Sequence, residues 1–93
     1  MDAREAADAA KKYVADLFGA EGATNFGLEE IRFDNEDRHW LVTVGFSRPW
    51  EGPQSGSRWL ERGGQSWPRT FKTVAISDAD GRILELRHWP VAA

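Results

Sequence analysis

Between Thr70 and Trp89, apolar and polar positions alternate with period two on both sides of a short acidic stretch, Asp78-Ala79-Asp80-Gly81. Val74 and Ile76 share one face before it, and Leu84 and Leu86 share one face after it. The other faces carry Thr73, Ala75 and Ser77, then Glu85 and Arg87, which suits an antiparallel pair packed on one side and wetter on the other. Aspartate closes turns through side-chain to backbone hydrogen bonds, and Gly81 takes positive φ with no Cβ to clash. The spacing predicts a hairpin with strands over 70–77 and 82–89.

At the other end of the chain the period is helical. Ala3, Ala6, Ala7, Ala10, Tyr13, Val14, Leu17 and Phe18 recur at three- and four-residue steps, so 2–18 reads as an amphipathic helix. Asp2 with Glu5 three residues later resembles a capping box, and Gly19 is a natural stop. The apolar face is small at its start and large at its end. Its first half can approach a sheet closely while Tyr13, Leu17 and Phe18 fill the wider end. A Gly-rich link, 19–27, leads to a short strand over 28–33, the polar turn Asp34-Asn35-Glu36-Asp37, and a longer strand over 39–47. Trp40, Val42, Val44 and Phe46 fall on one face of that strand, opposed by Leu41, Thr43 and Gly45. That pattern predicts a central strand with its richer face toward the helix.

The pattern lapses over 48–69. Within 48–68 there are three prolines and four glycines, together with Trp50, Trp59 and Trp67, three of the five tryptophans in the chain. Loops longer than about 12–15 residues are uncommon in compact domains and tend to carry function. Disordered linkers are poor in aromatic residues, so this composition points to a loop that docks on something. The expected architecture is α+β in one domain over 1–93: one N-terminal helix on a four-stranded antiparallel meander, with a long Trp-rich loop between the second and third strands.

Composition narrows the function classes. The chain has 93 residues and no cysteine, which excludes disulfides, thiol catalysis and thiolate metal sites. No signal peptide or membrane span is visible, so the expected location is the cytoplasm, without membrane partners. The net charge is −3. Over 48–69, however, four arginines (48, 58, 62, 69) oppose two glutamates (51, 61), a local net of +2 that leaves −5 for the remainder. Nucleic acid is not the expected partner, because non-specific phosphate binding draws on clustered Lys and Arg.

The run Val74-Ala75-Ile76-Ser77-Asp78-Ala79-Asp80-Gly81-Arg82-Ile83-Leu84, preceded by a helix and a meander, resembles the C-terminal hairpin of PepSY-type small domains. The resemblance covers the layout of helix and strands, with residue-level similarity confined to the hairpin. It implies a non-catalytic binding or inhibitory module, often linked to peptidases, and carries over no catalytic residue. This chain differs in having the tryptophan-rich loop and no export signal.

Other chemistry is thinly represented. His39 and His88 are the only histidines; each could act with Asp37 or Glu85 as an acid–base or metal pair, but they lack HxH or HExxH spacing. The Asp78 segment fails as a calcium loop, since positions five and twelve are Arg82 and Trp89. There is no Gly-x-Ser-x-Gly elbow, phosphate loop or dinucleotide fingerprint. No catalytic residue, metal ligand or cofactor is assigned. The expected function is a small interaction or regulatory module that binds a protein, or a second copy of itself, through Trp50, Arg58, Trp59, Arg62 and Trp67. Trp and Arg are the types most enriched at binding hot spots. Two alternatives stand beside it. The tryptophans could form a lid over the sheet face that the helix leaves bare, or the loop could gate a small-molecule or enzymatic pocket between helix and sheet, with His39 or His88 as its polar group.

Overall fold

The computed structural model describes residues 1–48 and 69–89. Its elements are helix α1 (Ala3–Phe18), a 3-10 turn (Gly19–Glu21), and strands β1 (Thr24–Asp34), β2 (His39–Ser47), β3 (Thr70–Ser77) and β4 (Ile83–Trp89). The strands form one antiparallel sheet in the order β1-β2-β3-β4, and α1 packs on one face of it over β1, β2 and β3. The architecture is the α+β meander expected from the sequence.

The helix begins where its cap dictates. Asp2 Oδ1 accepts the Glu5 N–H at 2.8 Å and Glu5 Oε1 accepts the Asp2 N–H at 2.9 Å, so two donors left over by the first turn are satisfied reciprocally. At the far end the left-handed glycine is Gly22 (φ 92), reached after the 3-10 turn, while Gly19 keeps a right-handed conformation. Ala6, Ala10 and Val14 are fully buried against Val42, Val44, Phe46, Val74 and Ile76. The contact follows the i, i+4 ridge from Ala6 to Phe18, as ridge-into-groove packing favours. Leu17 lies off that ridge and stays 45% exposed, so Tyr13 and Phe18 fill the wide end without it. Phe18 stacks on Phe46 at 4.9 Å between ring centroids, and Phe26 meets the same ring at 5.3 Å.

β1 starts four residues before the predicted strand. Asn25 takes φ 59 and the β1–β2 register shifts twice, between Thr24 and Gly27 and between Leu28 and Glu30. Each shift is a bulge that inserts a residue and interrupts the alternation, which hid the strand's first half in an apparent Gly-rich link. A third shift corrects the hairpin. Ile76 pairs with Ile83 and Ala75 with Glu85, so Leu84 is skipped. Ile83 joins Leu86 against the core and Leu84 is left 45% exposed. The turn itself matches its chemistry: Gly81 has φ 72, its N–H donates to the Ser77 carbonyl at 2.8 Å, and the Ser77 N–H donates to the Arg82 carbonyl at 2.9 Å. Asp80 accepts the Arg82 N–H at 3.0 Å. That bond, helped by the Ser77 hydroxyl, holds the Asp80 carboxyl below the usual range. Trp40 Nε1 donates to Asp78 Oδ1 at 3.0 Å, tying β2 to this turn.

On the face away from α1, Thr43 and Thr73 share a hydroxyl hydrogen bond of 2.9 Å across β2 and β3. Gly27 pairs with Gly45 across β1 and β2, which leaves a flat track on this face. The Phe71 ring lies on it: a Cβ added at Gly45 would sit 2.9 Å from a ring carbon and 3.0 Å from Glu29 Oε2. Glu29 can swing away; the ring, held on an inner strand, cannot do so cheaply. The clash outweighs the ~0.5–1 kcal/mol that alanine gains over glycine in a strand. Gly45→Ala should lower unfolding stability in urea by about 1–3 kcal/mol. The loss should shrink when Phe71 is also alanine, because the two changes share one contact.

Candidate functional site

Trp50, Arg58, Trp59, Arg62 and Trp67 lie outside the described residues. Their points of attachment do not. Segment 49–68 leaves from the end of β2 and returns at the start of β3, two adjacent inner strands. Phe46 pairs with Thr70 and Gly45 with Phe71 at this end, and Ser47 and Thr70 are buried. The stems of the segment are therefore fixed by the sheet itself.

Each face of the sheet at this end carries charged groups. Away from α1, the bulge between Leu28 and Glu30 turns Glu29 and Glu30 side by side over Thr43 and Gly45. With Phe71 they line a shallow pocket of about 260 Å³. Arg69 straps it: one guanidinium nitrogen donates to the Asn25 carbonyl at 2.9 Å and lies 3.6 Å from Glu29 Oε2. The strap crosses from β3 to β1, and Gly27 leaves room for it, 3.8 Å from where a Cβ would stand.

On the helix side the groups are cationic. The Arg48 guanidinium lies over the Phe18 ring at 5.4 Å and the Phe46 ring at 5.5 Å, within cation–π range. Lys72 Nζ lies over the same Phe18 ring at 5.6 Å and 3.5 Å from His88 Nδ1. Burial, and then the neighbouring Arg48 charge, lower the Lys72 pKa from its ordinary 10.5.

The two histidines sit at opposite ends of the sheet. His88 pairs with Lys72, whereas His39 pairs with Ser77 five residues along β3, roughly 17 Å away at the rise of an extended strand. Glu85, the carboxylate considered for His88, pairs instead with Arg87 at 2.9 Å. His39 Nε2 lies 3.7 Å from Asp34 Oδ2, and one ligand atom each from Asp34, Asp37 and His39 falls within 4.8 Å of the others. Three such groups suffice chemically for an open divalent site. The turn accounts for Asp34: its Oδ1 accepts the N–H of Glu36 at 2.9 Å and that of Asp37 at 3.4 Å, an Asx turn that fixes the β1–β2 connection. The period-two pattern puts His39 at the start of a strand but cannot bring Asp34 to it, since that takes the turn. A second groove, about 330 Å³, runs between α1 and β1 with Ala3, Ala7, Leu28 and Ile31 as its apolar lining and Arg4, Asp8 and Lys11 on its polar side. Among the described residues no helix is long and apolar enough to cross a membrane.

Comparison with protein-family models, curated proteins and solved structures finds no significant match to this chain.

A lysine that is harder to charge in the folded protein than in the unfolded chain costs stability while it is protonated. The cost fades as pH rises through the lowered folded pKa and is gone above 10.5. Lys72→Met should therefore melt above the wild type at neutral pH, with the gap closing as the pH approaches 10.5. A gap that widened with pH would contradict the assigned cause.

Proposed function

We propose that this protein is a small non-catalytic binding module that acts by protein–protein contact. Segment 49–68 is its recognition element, with Trp50, Arg58, Trp59, Arg62 and Trp67 as the contact residues. The observation that carries this reading is the seat of the segment. It springs from two neighbouring inner strands whose terminal residues, Ser47 and Thr70, are buried. Rigid scaffolds that present a long loop in this way concentrate binding function there. The residue types agree, because Trp buries a large area and Arg adds planar pairing with carboxylates. The PepSY-like layout makes a peptidase the partner class to test first, as a ligand of this module or as a target of its inhibition. Self-association through the same residues is the second arrangement to measure.

The test compares wild type with a variant carrying alanine at Trp50, Trp59 and Trp67. Affinity capture from cell extract identifies a partner, which is then purified and titrated against both proteins. The variant should keep the wild-type circular dichroism and bind about tenfold or more weakly. Retained binding with only a lower melting temperature would assign the tryptophans to the core and end the proposal. Trp59→Ala with Arg62→Ala gives the same contrast with less apolar area removed.

A further inference from the structure

The Asx turn between β1 and β2 engages only one oxygen of Asp34. Oδ1 takes the N–H groups of Glu36 and Asp37, while Oδ2 faces His39 Nε2 at 3.7 Å. That gap is longer than the roughly 2.7–3.2 Å of an N–H···O hydrogen bond. Two donors on one zinc ion, each about 2.0–2.2 Å from it, stand roughly 3.3–3.8 Å apart at angles that are tetrahedral or somewhat wider. The Asp37 carboxylate completes the set, since one ligand atom from each of the three residues lies within 4.8 Å of the other two.

Among the described residues no hydrogen bond or ion pair engages the Asp37 carboxylate, and neither Asp34 nor Asp37 has a lysine or arginine partner. Arg38, the cation between Asp37 and His39 in sequence, is drawn elsewhere: its guanidinium lies 3.9 Å from Asp78 and 5.1 Å over the Phe33 ring. An ion pair of Asp34 with a protonated His39 accounts for two of the three groups and leaves Asp37 unexplained. The imidazole separates this cluster from a merely acidic turn. Magnesium and calcium draw on oxygen ligands, whereas imidazole suits zinc and its first-row neighbours.

We propose that Asp34 Oδ2, the Asp37 carboxylate and His39 Nε2 form a binding site for a divalent transition-metal ion, zinc in particular. Two carboxylates cancel the charge of the ion, and three protein ligands leave a fourth position for water or an outside ligand. The first rung of the β1–β2 ladder holds Asp34 opposite His39, and the N–H bonds to Oδ1 orient Oδ2, as outer-shell hydrogen bonds do for ligating carboxylates. Asp37 is exposed in the turn and can swing the remaining distance. The ion ties the two ends of the β1–β2 turn together. His39 pairs with Ser77 and Phe46 with Thr70, so the site lies at the end of the sheet away from segment 49–68 and stands or falls independently of it.

The full chain, without a histidine tag, is stripped with EDTA and titrated with zinc chloride, with magnesium chloride as the control. Calorimetry reads the stoichiometry, and imidazole NMR signals locate the ion. Zinc should bind saturably with one ion per chain, shift the His39 signals while those of His88 stay in place, and raise the melting temperature. His39→Gln and Asp37→Asn should each weaken binding about tenfold or more, and so should Asp34→Asn, whose amide oxygen can still close the Asx turn. Circular dichroism checks that each variant is folded. A folded Asp37→Asn or His39→Gln that binds zinc like wild type overturns the site. So does a shift of His88 in place of His39, or magnesium binding of equal strength, which reduces the cluster to exposed carboxylates.

Discussion

The close contact between the small-residue ridge of α1 and the inner strands is the constraint on which the rest depends. Ala6 and Ala10 have no bulk to hold the helix off, so its backbone approaches Val42, Val44, Val74 and Ile76 directly and all of these lose contact with water. Burial of branched aliphatic side chains is worth about 1.5–3 kcal/mol each, which makes this contact the main source of stability the described residues offer. The larger Val14 and Phe18 tilt the line of contact along the i, i+4 ridge, and the aromatic trio Phe18, Phe26 and Phe46 closes the wide end. Arg48 and Lys72 rest on that trio, so the packing of the core also fixes the position of the charged groups.

Three register shifts decide what each strand shows to either face. The one at Glu29 puts two carboxylates on the face away from the helix, the one near Asn25 lets Arg69 reach the Asn25 carbonyl, and the one at Leu84 exchanges Ile83 for Leu84 in the core. Bulges also twist and blunt edge strands, and all three lie on β1 or β4, the two edges of the sheet. The irregularities thus serve both to aim side chains and to discourage pairing with another sheet.

The meander gathers carboxylates at one end. Both tight turns fall at one end, where Asp34, Glu36, Asp37, Asp78 and Asp80 cluster and Arg38 lies 3.9 Å from Asp78. Arg48, Arg69, Lys72 and His88 gather at the other. That end carries both signs, with Arg48 and Lys72 against Phe18 on the helix side and Arg69 beside Glu29 on the other face.

Local chemistry in the sequence settled the capped helix, the acidic hairpin turn with Gly81 at positive φ, the helix-facing set of β2 and the antiparallel meander. Each rests on interactions within a few residues or on a period that repeats without interruption. The extent of β1, the exposure of Leu17 and Leu84, and the meeting of Arg48, Lys72 and His88 were settled only by the tertiary structure. A bulge changes the count of residues between rungs without altering composition, so the pattern cannot register it. The crossing angle of a helix is set by the sheet it meets. Groups 24 and 16 residues apart along the chain, as Arg48, Lys72 and His88 are, become neighbours only once the rungs of β3 and β4 are aligned.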